Sequence, residues 1–294
     1  MSPIFVGGRR ILGALSADPT TGLSAGDEYY NTSSNSKRIY NGTAWANVGN
    51  STSTLYTTRG LIFAWDAGNV TGFSDGATVS DGTDLSSGLD TTYSTGVSTI
   101  TVNGGSFNYR TAAGGHFDSN TQSGRISITG STIASQLDAS SSMTLTCWVQ
   151  DNNGGRHLLM SRYGTNFPNQ FNHVVDPNGN FHYNSSGANL GSGNRTPGAW
   201  SANTWFLSHW TYSPTDGVMR WYVNGTQIDT NTVGTNSGNG LQVSGSGAGF
   251  SLMSRADRLE DLIGRMAMAR VHNVQLTAGE IAAEWTNERG RFGI

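Results

Sequence analysis

The sequence predicts an all-β protein: an antiparallel β-sandwich of the jelly-roll type, with a short N-terminal β-hairpin module ahead of it and one short C-terminal helix behind it. Three observations predict this. Apolar or alternating runs of strand length follow one another from Leu61 onward, each bounded by Gly, Asn, Asp, Ser or Pro. Charged residues make up only 13% of the 294-residue chain, and 40 glycines supply turns. A capping box, Thr277-Ala278-Gly279-Glu280, stands near the end of the chain.

A Ser/Thr-rich link, Gly49-Asn50-Ser51-Thr52-Ser53-Thr54, divides the chain into a module of residues 1–55 and a body of residues 56–294. In the module, Asn41-Gly42 lies between Arg38-Ile39-Tyr40 and Thr43-Ala44-Trp45-Ala46-Asn47-Val48. Both turn residues tolerate positive φ, so this reads as a hairpin. A lone hairpin is not stable in water. The module must then lean on the body, a sister chain or another protein. Tyr29, Tyr30, Tyr40 and Trp45 are either ordinary packing or the anchors of such an assembly interface.

In the body, Phe63 to Asp66, Ile126 to Ile128, Met143 to Val149 and Trp205 to Tyr212 have strand length and pattern. Phe171 to Val175 and Phe181 to Tyr183 flank the turn Asp176-Pro177-Asn178-Gly179, which reads as one hairpin. Met219 to Val223 and Thr226 to Ile228 flank Asn224-Gly225, which reads as a second. The Gly, Ser and Asn-rich stretch from Gly234 to Gly249 reads as a loop. After the capping box, Ile281 and Trp285 at helical spacing and Gly290 beyond them give a short amphipathic helix that ends at Gly290.

Composition excludes several function classes. With 17 basic against 20 acidic residues, no positive field draws in nucleic acid or an anionic membrane. No run of about 18 apolar residues is present, so membrane insertion is not expected. Met1 to Arg10 lacks the apolar stretch of a signal peptide, which implies synthesis in a host cytoplasm without secretion. Lys37 is the single lysine, and the arginine bias either suits packed interfaces or reflects composition. Cys147, the one cysteine, can form no internal disulfide, and in a strand-like run it reads as a small core residue.

Read in order, the body resembles the concanavalin A-like lectin/glucanase group, specifically its laminin G-like members. The resemblance is carried by Gly60 to Asn69, by Gly115-His116-Phe117-Asp118 and by the Trp-led strand from Trp205. The hairpin Trp221-Tyr222-Val223-Asn224-Gly225 and the closing run from Ile263 to Ile281 complete it. It covers about residues 60 to 290, with Thr71 to Tyr109 departing from the pattern. The string Gly26-Asp27-Glu28-Tyr29-Tyr30-Asn31 to Tyr40-Asn41-Gly42-Thr43-Ala44-Trp45 is similar to a short module of phage tail and other particle proteins.

These resemblances imply a bacteriophage virion structural protein, either a capsid decoration protein or a tail fibre or spike subunit. Its expected partners are other virion proteins, engaged through the N-terminal module, in a homo-oligomer with a trimer favoured. The alternative is a glycan- or receptor-binding adhesin that meets a host surface glycan, with Trp200, beside Pro197-Gly198, as the exposed aromatic candidate. Laminin G-like domains often bind Ca²⁺ at a rim of loops, which makes Asp66, Asp118, Asp176 and Asn178 the metal candidates, the other reading being turn chemistry. A polysaccharide depolymerase is not expected. Glycosidases of this fold present two glutamates from one strand, whereas Tyr29 to Leu259 contains no glutamate. Asp151, Asp176, Asp216 and Asp229 read as turn formers, and the six histidines show no metal-ligand spacing.

Overall fold

The computed structural model describes residues 4–6, 9–31, 36–40, 42–47, 56–94, 97, 99–119, 124–129, 142–152, 157–162, 169–175, 182–185, 188–189, 200–232, 250–254 and 261–294. They form two compact units, residues 1–56 and residues 57–294.

The first unit is a sheet of five described strands: β1 (Ile4–Val6), β2 (Arg9–Leu15), β3 (Glu28–Asn31), β4 (Ser36–Tyr40) and β5 (Trp45–Asn47). They lie in chain order, with β2 and β3 parallel and the other pairs antiparallel. The expected hairpin joins β4 to β5 with Tyr40 opposite Trp45, which leaves four residues in its loop, Gly42 among them at φ 102°; Asn41 lies outside the described residues. The hairpin is extended by three further strands, so the module buries side chains of its own instead of relying wholly on a neighbour. Tyr29 is 1% exposed, and its ring meets Trp45 edge-on at 4.8 Å.

The second unit is a two-layer antiparallel sandwich. Its strands are β6 (Leu61–Asp66), β7 (Thr78–Ser80), β8 (Thr99–Asn103), β9 (Ser106–Arg110), β10 (His116–Ser119), β11 (Arg125–Thr129), β12 (Met143–Asp151) and β13 (His157–Arg162). There follow β14 (Asn169–Val175), β15 (His182–Ser185), β16 (Ala188–Asn189), β17 (Trp205–Ser213), β18 (Val218–Val223), β19 (Thr226–Thr232), β20 (Phe250–Leu252) and β21 (Gly264–His272). One sheet has the order β19-β18-β17-β12-β21-β10-β9-β7, with β6 also pairing β21; the other runs β16-β15-β14-β13-β20-β11-β8.

Alternation along β12 sets the layers. Met143, Leu145, Cys147 and Val149 enter the core between the sheets, with Trp65, Phe117, Trp210 and Leu252. Trp148 points the other way, into a smaller cluster with Leu207, Met268 and Phe292. Side chains of the two sheets meet across the core, as in the Phe63–Phe250 edge contact at 5.7 Å. Burying each such side chain stabilises the fold by about 1.5–3 kcal/mol. The Asn224-Gly225 turn has positive φ at both residues, 53° and 78°, as a type I′ hairpin requires.

The helix α1 (Ala278–Glu288) carries a complete capping box: Glu280 N donates to Thr277 Oγ1 at 3.2 Å and Thr277 N donates to Glu280 Oε2 at 2.7 Å. Its C-terminal end differs from expectation. Gly290 does not terminate it; a 3-10 turn, Arg289–Phe292, continues the coil, and the left-handed closing residue is Gly293 at φ 72°.

Candidate functional site

Strand register brings polar side chains together at one rim of the sandwich. Asp118 lies opposite Arg265, Gln150 lies opposite both Arg265 and Trp205, and Asp151 lies opposite Gly264. A Cβ at residue 264 would sit 2.0 Å from the Gln150 carbonyl oxygen, so glycine is needed for the strands to close there. His157, at the head of β13, shares a hydrogen bond of 2.7 Å between Nδ1 and the Asp261 carbonyl, which only accepts; Nδ1 therefore carries the proton. Its Nε2 lies 3.6 Å from Asp151 Oδ1.

Asp151, Asp261 and His157 are each no more than 1% exposed. The Ser254 hydroxyl donates to Asp261 Oδ1. Arg265 donates to Gln150 Oε1 at 3.0 Å and lies 3.4 Å from Asp118 Oδ2. Asp118 Oδ1 is buried without a hydrogen-bond partner among the described residues. The rim is thus a polar cluster of carboxylate and amide oxygens that is nearly closed to solvent, with Asp118 5% and Gln150 6% exposed. Among the described residues, no group of three or more His, Cys, Asp or Glu side chains is placed to hold a metal ion.

Of the metal candidates, Asp118 belongs to this rim and Asp66 does not. Both Asp66 oxygens are held by the Arg291 guanidinium, at 2.6 and 2.8 Å, so a metal there would have to displace a bidentate ion pair. Asp176 and Asn178 lie outside the described residues. Asp151 is no turn former: it ends a nine-residue strand, fully buried. Asp229 also lies within a strand, whereas Asp216 does cap a turn, accepting from Val218 N at 3.0 Å.

Trp200, expected as an exposed aromatic, is half-buried. Its ring stacks on Phe206 at 5.4 Å and meets Trp221 edge-on at 5.3 Å, while Nε1 approaches Asp151 Oδ2 at 3.4 Å. It thereby borders the rim as packing, and the stacked face is unavailable to a sugar ring. In the N-terminal unit, Tyr29 is buried and donates its hydroxyl to Asp18, Tyr40 packs on Trp45 at 5.3 Å, and Trp45 Nε1 donates to the Pro19 carbonyl at 2.7 Å. Tyr29 is thus packed inside the unit, whereas Tyr40 and Trp45 are half-buried; the Tyr30 side chain lies outside the described residues.

Two further polar clusters are closed to solvent. His173 is buried, and its neighbour Asn172 is the residue opposite His182. Its Nε2 lies 2.8 Å from Ser208 Oγ, which also accepts from Trp221 Nε1 at 2.9 Å. Burial lowers its pKa to about 3, so the imidazole is neutral.

Under α1, Arg270 joins two glutamates one helical turn apart, donating to Glu284 Oε2 at 3.1 Å and to Glu288 Oε1. His209 Nε2 donates to Glu284 at 2.9 Å, Thr57 N donates to it at 2.8 Å, and Trp148 Nε1 donates to Glu288 at 2.5 Å. Burial opposes ionisation of both acids. For Glu284 the Arg270 charge and the His209 hydrogen bond outweigh it and hold the pKa down to about 2. For Glu288 burial wins and the pKa rises to about 7, Arg270 opposing and the Glu284 charge adding to the rise. This is a split carboxyl pair, but both residues are at most 2% exposed. It ties the helix to the sheet and leaves no room for a glycosidic bond.

The residues that sequence reasoning missed are Gln150, Asp151, His157, Asp261 and Arg265. They come from strand ends far apart in the chain, and pairing alone brings them together. Gly264, which opens β21 three residues after Asp261, was the one local signal.

Comparisons with known proteins match this architecture. A family model described as the concanavalin A-like lectin/glucanases superfamily matches residues 120–282, more than half of the 294-residue chain. A search of curated protein sequences gives no match. Among solved structures, domain 4 of a GH43 extracellular arabinanase from Geobacillus stearothermophilus, in complex with arabinotriose, is similar at 14% identity and a TM-score of 0.50 over 76% of this chain and 97% of that one. The binding domain of Botulinum neurotoxin DC in complex with SialylT is similar at 15% identity and a TM-score of 0.51 over 78% of this chain, which spans 52% of that domain's length. The same neurotoxin domain in complex with rat synaptotagmin II gives 13% identity and a TM-score of 0.51 over 78% of this chain and 52% of that one. With the family model's match and the two-layer antiparallel body agreeing, the chain belongs to the concanavalin A-like lectin/glucanase superfamily.

Proposed function

We propose that this chain is a non-catalytic structural protein of a bacteriophage particle, in which the first unit attaches to neighbouring virion proteins and the lectin-like sandwich is displayed outward. The observation that carries this reading is the division into two compact units, 1–56 and 57–294, the first of which holds the string similar to phage particle modules. The non-catalytic reading is supported by the carboxyl pair Glu284 and Glu288, which is buried on the inner face of α1 and held by Arg270. The test is quantitative mass spectrometry of purified particles. The chain is expected at a fixed copy number, with hundreds of copies indicating capsid decoration and a few to a few dozen indicating a tail or fibre. Loss of the chain on gradient purification would refute the reading.

A second reading, a glycan- or receptor-binding adhesin, takes the unpartnered Asp118 Oδ1 at the rim as its starting point. It draws support from similar sandwiches solved in complex with arabinotriose and SialylT. A glycan array probed with the full chain separates the two: hits lost on Asp118→Asn favour the adhesin, and an array without hits favours display alone. Incubation with host polysaccharide is expected to release no reducing ends.

A further inference from the structure

Three successive residues, Ala113, Gly114 and Gly115, have positive φ of 51°, 70° and 104°. A non-glycine residue is strained in this region, so Ala113 calls for a compensating interaction. Their carbonyls all accept from one guanidinium: Arg291 Nε donates to Ala113 O at 2.7 Å, and Nη2 donates to Gly114 O at 3.0 Å and Gly115 O at 3.1 Å. Asp66 closes the ring, its Oδ2 accepting from Nη1 at 2.6 Å and its Oδ1 from Nη2 at 2.8 Å. Every nitrogen of the fork is therefore engaged.

The surroundings leave space for nothing else. A Cβ on Gly68 would meet Gly114 O at 2.0 Å, one on Gly114 would meet Arg291 Nε at 2.7 Å, and one on Gly115 would meet the Gly68 Cα at 2.5 Å. Gly68 N also donates to Asp66 Oδ1 at 2.7 Å and so fixes the carboxylate plane. A Ca²⁺ ion wants six to eight oxygens at roughly 2.3–2.6 Å. Here one carboxylate and three carbonyls line a planar donor fork instead, which is the geometry of guanidinium recognition.

We propose that Asp66 and the carbonyls of Ala113, Gly114 and Gly115 form a guanidinium-binding site whose built-in ligand is Arg291, and that the emptied site takes a small guanidinium ion from solution. The site ties β6, the turn before β10 and the C-terminal turn into one joint. It makes this carboxylate dependent on an arginine-type ligand and independent of divalent cations.

The experiment uses the full chain with Arg291→Ala and Arg291→Lys, read by thermal melting. Arg291→Ala is expected to lower Tm by several degrees, and millimolar methylguanidinium chloride to restore most of the loss. Methylammonium, sodium and calcium chlorides at equal ionic strength are expected to restore none, and the wild-type chain not to respond. Arg291→Lys is expected to stay low, because one ammonium cannot engage five acceptors. Should Arg291→Ala not fold, the wild-type chain supplies the second measurement, in which the Arg291 Nε–H exchanges with solvent about tenfold more slowly than that of the half-buried Arg110, whose guanidinium faces Asp75 at 3.9 Å. Absence of rescue by methylguanidinium, equal rescue by calcium, or an Arg291 Nε–H that exchanges as fast as that of Arg110 would overturn the proposal.

Discussion

At the scale of single residues, side-chain space decides most outcomes. Gly264→Ala places a methyl 2.0 Å from the Gln150 carbonyl, in backbone that cannot yield cheaply. A loss of about 3 kcal/mol or more is expected, read as a large fall in Tm or failure to fold. Gly290→Ala meets nothing within 4 Å and should be neutral or slightly stabilising, so the pair separates a steric cause from a general intolerance of the fold. Cys147 is fully buried and its thiol pKa is pushed up by burial. A thiol reagent at pH 8 should therefore leave the native chain unlabelled and label it stoichiometrically in urea; rapid native labelling would contradict the core assignment. Cys147 was legible from its strand-like neighbours. Trp200, His173 and Asp151 were not, because flanking turn residues mark where a chain bends and not which way a side chain points. Asp151 stands beside Asn152 in the sequence yet faces His157 across the rim.

At the scale of elements, local chemistry made some units readable and hid others. The Asn224-Gly225 hairpin and the α1 capping box were legible because each is decided within four residues. The parallel pairing of β2 with β3 was not, since parallel ladders are set by tertiary placement and leave no turn signature. The attachment of α1 gives its own test. Glu288 has a folded pKa raised from 4.5 to about 7, so its contribution is fully present below pH 4.5 and is lost as pH rises through 7. Glu288→Gln, which cannot ionise, should escape that loss. Its Tm relative to wild type should move upward between about pH 4.5 and 7 and level off above; a difference independent of pH would contradict the assignment.

At the scale of the whole molecule, sandwich stability should be acid-sensitive for a different reason. His173 and His272 have folded pKa values lowered by burial to about 3 and about 4, from 6.5 in the unfolded chain. The unfolded state then binds more protons below pH 6.5, so their contribution falls as the pH drops from 6.5 toward 4. In His272→Gln the acid branch of the melting profile should be shallower over that interval. The two-layer architecture was legible because turn-bounded strands recur throughout the body, and the rim was not, because no single segment contains it. The separation of an attaching unit from a displayed sandwich is the central claim, and complementation of particles lacking this protein tests it most directly. Residues 57–294 alone should fold, with a β-rich spectrum and a cooperative melt, yet be missing from purified particles into which the full chain is incorporated. Incorporation of residues 57–294 at the copy number of the full chain would contradict the account.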